Sequence, residues 1–459
     1  MQLRPYQDEI IGQVRAIMRS GVKSILVQSP TGSGKTALTA MMLKTASSKG
    51  LSCWFLVHRR ELVKQSIAAF GRAEVKHGVV AAGWYEEPHL NVQLASVQTV
   101  ARRVDRIKNP KLIVWDEAHH VAAGSWSKIH AAFPDAFHIG LTATPERLDG
   151  TGLKQWFKAM VKGPAVRWLI DNGFLADYKI YAPPSINTSD IHTRMGDFVK
   201  SELSAAIDKP TITGDAIRHY QKHGHGKRAV CFCVSIEHSQ HVAKQFNDVG
   251  IPAAHVDGES DMNYRDETIE RFRKNEIKIL TNVDLFGEGF DLPALEVAIL
   301  LRPTQSLGLY LQQVGRALRP YPGKSHAIIL DHAGNCARFG LPDDERDWSL
   351  EPRDKKTRAS SSSATIRICP KCFAAQELGR DNCKFCGFEF EKSPRQVDQV
   401  EGELQEVDAD ALRRQRNAEQ GKAQSLQDLI ELGKQRGYRK PLAWANYVWR
   451  ARMMRGKAA

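Results

Sequence analysis

Ser29-Pro30-Thr31-Gly32-Ser33-Gly34-Lys35-Thr36 follows a short apolar run, Ser24-Ile25-Leu26-Val27. It precedes Ala37-Leu38-Thr39-Ala40-Met41-Met42-Leu43, which holds no helix breaker. The apolar run reads as a buried strand and the second stretch as a helix, so a glycine loop joins strand to helix. That context suits phosphate. Gly32 and Gly34 let backbone N–H groups turn inward, and the helix N-terminus adds positive potential. Thr31, Gly32, Ser33 and Gly34 are placed to line the phosphates, Lys35 to reach the β- and γ-phosphates, and Thr36 to hold Mg²⁺. Ser29 stands where the strict pattern has its first glycine; a small residue keeps the loop feasible.

Working outward, the first half alternates short apolar runs with helical patterns. Strands are expected at 25–28, 53–57, 92–95, 112–115 and 138–141. Such alternation argues a parallel sheet covered by helices on both faces, with ligands at the carboxyl ends of the strands. Two runs carry chemistry there. Leu112–Trp115 leads into Asp116-Glu117-Ala118-His119, and 138–141 leads into Thr142-Ala143-Thr144-Pro145. Asp116 suits the nucleotide's Mg²⁺, and Glu117 suits the positioning and deprotonation of an attacking water. The threonine hydroxyls suit a link between these acids and a moving second half.

A second alternating block follows, with strands expected at 229–234, 253–256, 277–282, 297–301 and 327–330 and no phosphate loop. It ends in Gln312-Gln313-Val314-Gly315-Arg316-Ala317-Leu318-Arg319. Arg316 and Arg319 are three apart, so they share one helix face and can point together into a cleft. Cationic fingers of this kind stabilise charge in phosphoryl transfer.

The order of these stretches resembles superfamily-two helicases of the DEAD/DEAH-box kind. The stretches are Leu3-Arg4-Pro5-Tyr6-Gln7, the phosphate loop, Asp116-Glu117-Ala118-His119, Thr142-Ala143-Thr144-Pro145 and the arginine stretch. Four of its stretches resemble the RadD-like group, related to the helicase subunits of restriction enzymes: 3–7, 142–150, 301–304 and 331–335. The resemblance implies two tandem RecA-like lobes. It puts Arg4 and Gln7 at the adenine end of ATP, and Gly289 and Asp291 on the nucleotide from the second lobe. It also puts Arg59, Arg60, Gln98, Thr99 and Thr281 near a nucleic-acid backbone. The implied activity is an ATP-dependent DNA helicase or translocase in repair, recombination or phage replication. An RNA helicase shares every motor motif, and an ATP-gated scaffold that binds nucleic acid is the reading from another class.

Beyond the motor, Cys369-x-x-Cys372 and Cys383-x-x-Cys386 have the spacing of a four-thiolate Zn²⁺ site. An iron–sulfur cluster also takes four cysteines. The other four cysteines read as free thiols, so no disulfide framework is expected. The expected division is an N-terminal ATP-binding lobe at 1–184, a second lobe at 185–345, a linker at 346–366 and a zinc module at 367–391. An acidic linker at 392–424 and a basic helical tail at 425–459 complete it.

The net charge is +13 over 459 residues, and the last 49 hold twelve Lys and Arg against three Asp and Glu. Such a surface favours an anionic polymer. Arg and aromatic residues interleave from Gly437 to Arg450, either to stack on bases or to form the core of a helical hairpin. The tail is also a candidate surface for a protein partner. No apolar run is long enough to span a bilayer and the first twenty residues are charged, so a cytoplasmic protein without membrane contact is expected.

Overall fold

The computed structural model describes residues 2–145, 151–182, 193–194, 197–198, 212–213, 216–283, 295–351, 366–368, 375–377, 382, 399–400, 405–407, 409–436, 438 and 441–455. Gly289, Asp291 and all four cysteines of the expected zinc module lie outside these residues.

Runs such as Cys53-Trp54-Phe55-Leu56-Val57 have no polar alternation, and every residue in this run is buried. A strand apolar on both faces belongs inside a parallel sheet covered by helices on each side. Seven such strands form the first sheet, in the order Gly78–Val80, Val92–Ser96, Cys53–Val57, Leu112–Trp115, Phe137–Thr142, Ser24–Gln28 and Ala159–Lys162. All pairs are parallel. The helix Arg60–Arg72 buries Leu62, Val63, Ser66 and Phe70, a helical stripe, and Phe70 packs 5.5 Å from Phe55 across it.

The second sheet repeats the plan. Its order is Ala253–Val256, Ile279–Asn282, Ala229–Phe232, Val297–Leu300, His326–Asp331 and Asp177–Ala182, all parallel, with Gln405–Val407 antiparallel on the edge. The chain is therefore α/β, with two parallel-sheet lobes.

Three expectations change. Asp177–Ala182 lies within the span assigned to the first lobe, yet it pairs with His326–Asp331 in the second sheet. The stretch expected as an acidic linker contributes the edge strand Gln405–Val407 and the helix Ala409–Lys422. The stretch after 342 is not a free linker as far as Glu351. Leu153 N–H donates to Leu350 O at 2.8 Å, Lys154 pairs with Glu351 at 2.6 Å, and Lys162 pairs with Asp347 at 3.3 Å. The chain thus leaves the second sheet and straps back onto the first lobe.

The last two helices, Leu426–Gln435 and Pro441–Arg455, pack as a hairpin around Leu429, Trp444, Ala445 and Val448. Trp444 stacks edge-on to Tyr438 and fits against Gly433. Trp444 therefore serves the core, whereas Tyr447 is 67% exposed. Among the described residues, no helix is long and apolar enough to cross a membrane.

Candidate ATP site and its two-lobed cleft

The glycine loop leaves strand Ser24–Gln28 and enters helix Lys35–Ser47 through residues of positive φ, +85° at Gly32 and +82° at Gly34. An L side chain rarely adopts that backbone. A Cβ on Gly34 would also lie 2.6 Å from Gln7 Nε2, so the space is closed as well. The loop is braced from inside and behind. Ser29 and Ser33 hydroxyls meet at 2.7 Å, and Ser33 Oγ donates to Pro30 O at 2.7 Å. Tyr6 OH donates to Ser33 O at 2.6 Å.

Gln7 sits at this brace. Its Nε2 donates to Ser33 O at 3.1 Å and Gly34 O at 3.3 Å, while its Oε1 accepts from Arg4 N–H at 2.9 Å. Its amide is thus bonded to the loop on both sides. Arg4 lies 4.8 Å over the Phe174 ring and donates to Tyr6 OH. Tyr6 was not singled out from the sequence; its place between Pro5 and Gln7 was the available signal.

Lys35 Nζ donates to Ser29 O at 3.1 Å and Pro30 O at 3.3 Å, curled over its own loop. Thr36 is exposed at the cleft. Burial lowers the Lys35 pKa; Glu117 and Asp116 oppose that shift, while Arg316 and Arg319 reinforce it. Side chains nearly three hundred positions apart therefore share one electrostatic neighbourhood. Burial, then the charge of Glu117, raises the Asp116 carboxyl to about 6, against the pull of Lys35 and His58. Glu117 is 6% exposed and holds a left-handed backbone, φ +47°. For a residue with a Cβ that costs about 1 kcal/mol, a strain that clusters at functional sites.

The threonine stretch links the acids to the other lobe. The single proton of Thr142 Oγ1 goes to Thr144 O at 2.9 Å, so His119 Nδ1, at 3.1 Å, is the donor to Thr142 Oγ1. That nitrogen also lies 3.5 Å from Glu117 Oε2. Thr144 in turn abuts Gly308 at the start of helix Leu307–Ala317: a Cβ on Gly308 would be 2.9 Å from Thr144 Oγ1.

That helix starts on a Ser306 cap and buries Gln312, Gln313 and Arg316. Its approach is close enough that a Cβ on Gly315 would lie 2.6 Å from Thr31 Cβ. Gly315 is thus a structural requirement of the closed cleft. Only its position inside the arginine stretch hinted at this. A cavity of about 470 Å³ between the lobes is walled by Thr31 and Thr144, by Gly315, by Asp347 of the strap and by Trp444 of the tail.

The remaining expected residues divide. Arg59 and Arg60 follow strand Cys53–Val57, and Gln98 and Thr99 follow its partner Val92–Ser96, so all four share one sheet edge. Arg60 is exposed over Trp84 at 4.5 Å, and Gln98 is exposed. Thr281 does not join them. It is 0% exposed and spends its hydroxyl on Ser239 O at 2.8 Å, because it sits inside a central strand rather than at its tip.

Two family models match. Residues 1–147 match the type III restriction enzyme res subunit, and residues 209–321 match the helicase conserved C-terminal domain. A 51.5 kDa protein of a Lactococcus phage is 39% identical, with 80% of this chain and 78% of that protein covered. The putative ATP-dependent helicase IRC3 of Saccharomyces cerevisiae is 30% identical over 72% of this chain and 51% of its own length. The DNA 3'-5' translocase XPB2 of Sulfurisphaera tokodaii is 23% identical over 70% of this chain and 79% of its own. A fragment structure of a putative HsdR subunit of a type I restriction enzyme from Vibrio vulnificus shares the fold. Its TM-score is 0.58 at 23% identity, over 74% of this chain and 66% of that one. The chain belongs to the superfamily-two helicases, nucleic-acid-dependent ATPases, in the branch related to restriction-enzyme helicase subunits.

Proposed function

We propose that this chain hydrolyses ATP to translocate along DNA. One observation carries the reading: the second lobe's arginine stretch packs on the glycine loop, where a Cβ on Gly315 would lie 2.6 Å from Thr31 Cβ and one on Gly32 would lie 3.5 Å from Arg319 Cγ. Three cations around a glycine loop fit a triphosphate, and the carboxylates beside them fit its metal and its water. Lys35 swings from the Ser29 and Pro30 carbonyls onto the β- and γ-phosphates. Thr36 and Asp116 would hold Mg²⁺, which would neutralise charge on the phosphates. Glu117 orients the attacking water and takes its proton. Arg316 and Arg319 stabilise the charge developing on the transferred group, which requires the cleft to be closed. Release of products removes the anion that holds the cations together, and the lobes part.

Gln7 and Arg4 contact the adenine end of the nucleotide in this reading, with Gly289 and Asp291 assigned to the second lobe's side of it. Arg59, Arg60, Gln98 and Thr99 line the edge that grips the DNA backbone, by contacts that carry no sequence information. Each cycle of opening and closing shifts one lobe's grip relative to the other. The names of the restriction-enzyme family and of the archaeal translocase favour DNA over RNA. Cys369, Cys372, Cys383 and Cys386 hold a structural Zn²⁺ in this reading, on the strength of their spacing. Repair, recombination and phage replication are the settings it fits, and the C-terminal hairpin is the surface for a protein partner.

ATPase assays with single-stranded DNA, duplex DNA and RNA test the proposal. DNA-stimulated turnover that disappears in Lys35→Ala supports it. Nucleotide binding without turnover supports the scaffold reading, and preferential stimulation by RNA supports the RNA helicase.

A further inference from the structure

His58 stands between the DNA-facing edge and the hydrolytic acids. It follows strand Cys53–Val57 and precedes Arg59. On the outer side, Gln98 Nε2 donates to His58 O at 3.1 Å, and Arg59 Nε donates to His58 Nε2 at 3.3 Å. Both of these neighbours were placed above on the backbone-gripping edge. On the inner side, the His58 ring lies 5.0 Å from the His120 ring, and His120 lies 4.2 Å from His119. Trp126 backs both, at 6.2 Å from His58 and 6.0 Å from His120. His119 reaches Thr142 Oγ1 and Glu117 Oε2, as described. Every step is a hydrogen bond, a close polar approach or a ring contact, so a displacement of Arg59 or Gln98 has a packed route to Glu117.

We infer that His58 is a positioning residue that couples DNA contact at Arg59 and Gln98 to the placement of Glu117, through the rings of His120 and His119. The inference rests on the proposed DNA-dependent ATPase. Glu117 holds a strained backbone, and Lys35 curls onto its own loop. A DNA backbone that draws Arg59 and Gln98 outward moves the His58 carbonyl and ring together. The tilted, contacting histidine rings then re-aim His119, the partner common to Glu117 and the threonine stretch. His58 touches no reacting atom in this scheme.

The test uses the full chain and single-stranded oligothymidylate, with ATPase rates measured with and without the DNA and DNA affinity measured separately by anisotropy. If wild type shows no stimulation by any nucleic acid, the proposed function fails, and this inference with it. Given stimulation, the readout is the ratio of DNA-stimulated to basal kcat, because the His58 ring also bears on Asp116. His58→Ala is expected to lower that ratio about tenfold and to keep DNA affinity within about threefold. His120→Ala is expected to give the same loss, and the double variant no further loss, because both cut one route. His58→Phe, which keeps the ring contact and loses the acceptor, folds as a packed replacement and should lose stimulation as well. Full stimulation in His58→Ala overturns the inference, as do losses that multiply in the double variant. A fall in DNA affinity that alone accounts for the lost stimulation makes His58 part of the grip instead, and also overturns it.

Discussion

The two lobes carry the same strand order, yet they treat the ends of their strands in opposite ways. In the first, the strands Ser24–Gln28, Leu112–Trp115 and Phe137–Thr142 end in the phosphate loop, the two acids and the threonine stretch. These ends keep their chemistry facing the cleft. In the second, Val297–Leu300 and His326–Asp331 end in residues that bond to each other. Asn335 Nδ2 donates to Arg302 O at 3.0 Å, and Thr304 N–H donates to Asn335 Oδ1 at 3.1 Å. Cys336 N–H donates to Asp331 Oδ2 at 2.6 Å, and Ser306 N–H to Thr304 Oγ1 at 2.9 Å. One fold therefore supplies an open ligand edge in one copy and, at the ends of these two strands, a knitted platform in the other. The platform's task is to hold the helix Leu307–Ala317, whose last turn carries Arg316; Arg319 lies two residues past its end, so the two arginines do not share the helix face expected from their spacing.

The contrast can be broken at either lobe. The largest effect is expected from the delivered charge: Arg316→Ala should lower kcat by about 10³-fold while ATP still binds, as measured by turnover and by nucleotide anisotropy. Lys35→Ala should lose binding as well as turnover, since its amine belongs to the loop.

Asp116→Asn separates activity from stability. Turnover should fall by about 10²-fold or more. Yet a carboxyl held at about 6 in the fold, against 3.8 unperturbed, is ionised at a cost. The folded chain binds that proton more tightly, so its stability falls as pH rises from about 4 to about 6 and stays lower above. Nucleotide-free Asp116→Asn should therefore be more stable than wild type at pH 7.5, by about 3 kcal/mol at most, with the gap closing near pH 4. Urea titrations at the two pH values check this.

The platform itself is sharpened by Asn335→Ala. It removes the buried amide that bonds both Thr304 N–H and the Arg302 carbonyl, a loss of about 1–3 kcal/mol in urea unfolding. Smallest is the effect of the ion pairs that join helix Arg60–Arg72 to helix Met262–Arg273. Lys64 pairs with Asp266 at 2.6 Å, and Glu61 pairs with Arg265. Lys64→Ala should change stability by less than about 1 kcal/mol, and high salt should mask it.

Much of this was legible in the sequence for a physical reason. Strands buried on both faces are written as unbroken apolar runs, and phosphate loops need glycine at fixed positions. The five strands expected in the first sheet appear within a residue or so of their expected ends. Gly78–Val80, Ala159–Lys162 and Asp177–Ala182 were not foreseen, because edge or near-edge strands are short or alternate with polar residues. The Asp177–Ala182 burial pattern alternates, exposed at Asp177 and Lys179. Tertiary requirements were less visible. That Gly315 must lack a Cβ depends on Thr31, and that Gln7 braces the loop depends on a fold that brings it to Ser33. The strap after Pro342 looked like a linker because its acids answer lysines of the other lobe, a pairing no local pattern records.

The central claim is that the two lobes meet around one triphosphate. A Cβ on Gly308 would lie 3.7 Å from Thr144 Cβ, the spacing of a disulfide. In Gly308→Cys/Thr144→Cys, mild oxidation should join the two lobes, detected by proteolysis and mass spectrometry, and should stop turnover until reduction restores it. Failure to cross-link with ATP analogue and DNA present, in protein that still hydrolyses ATP, would contradict the closed two-lobed site.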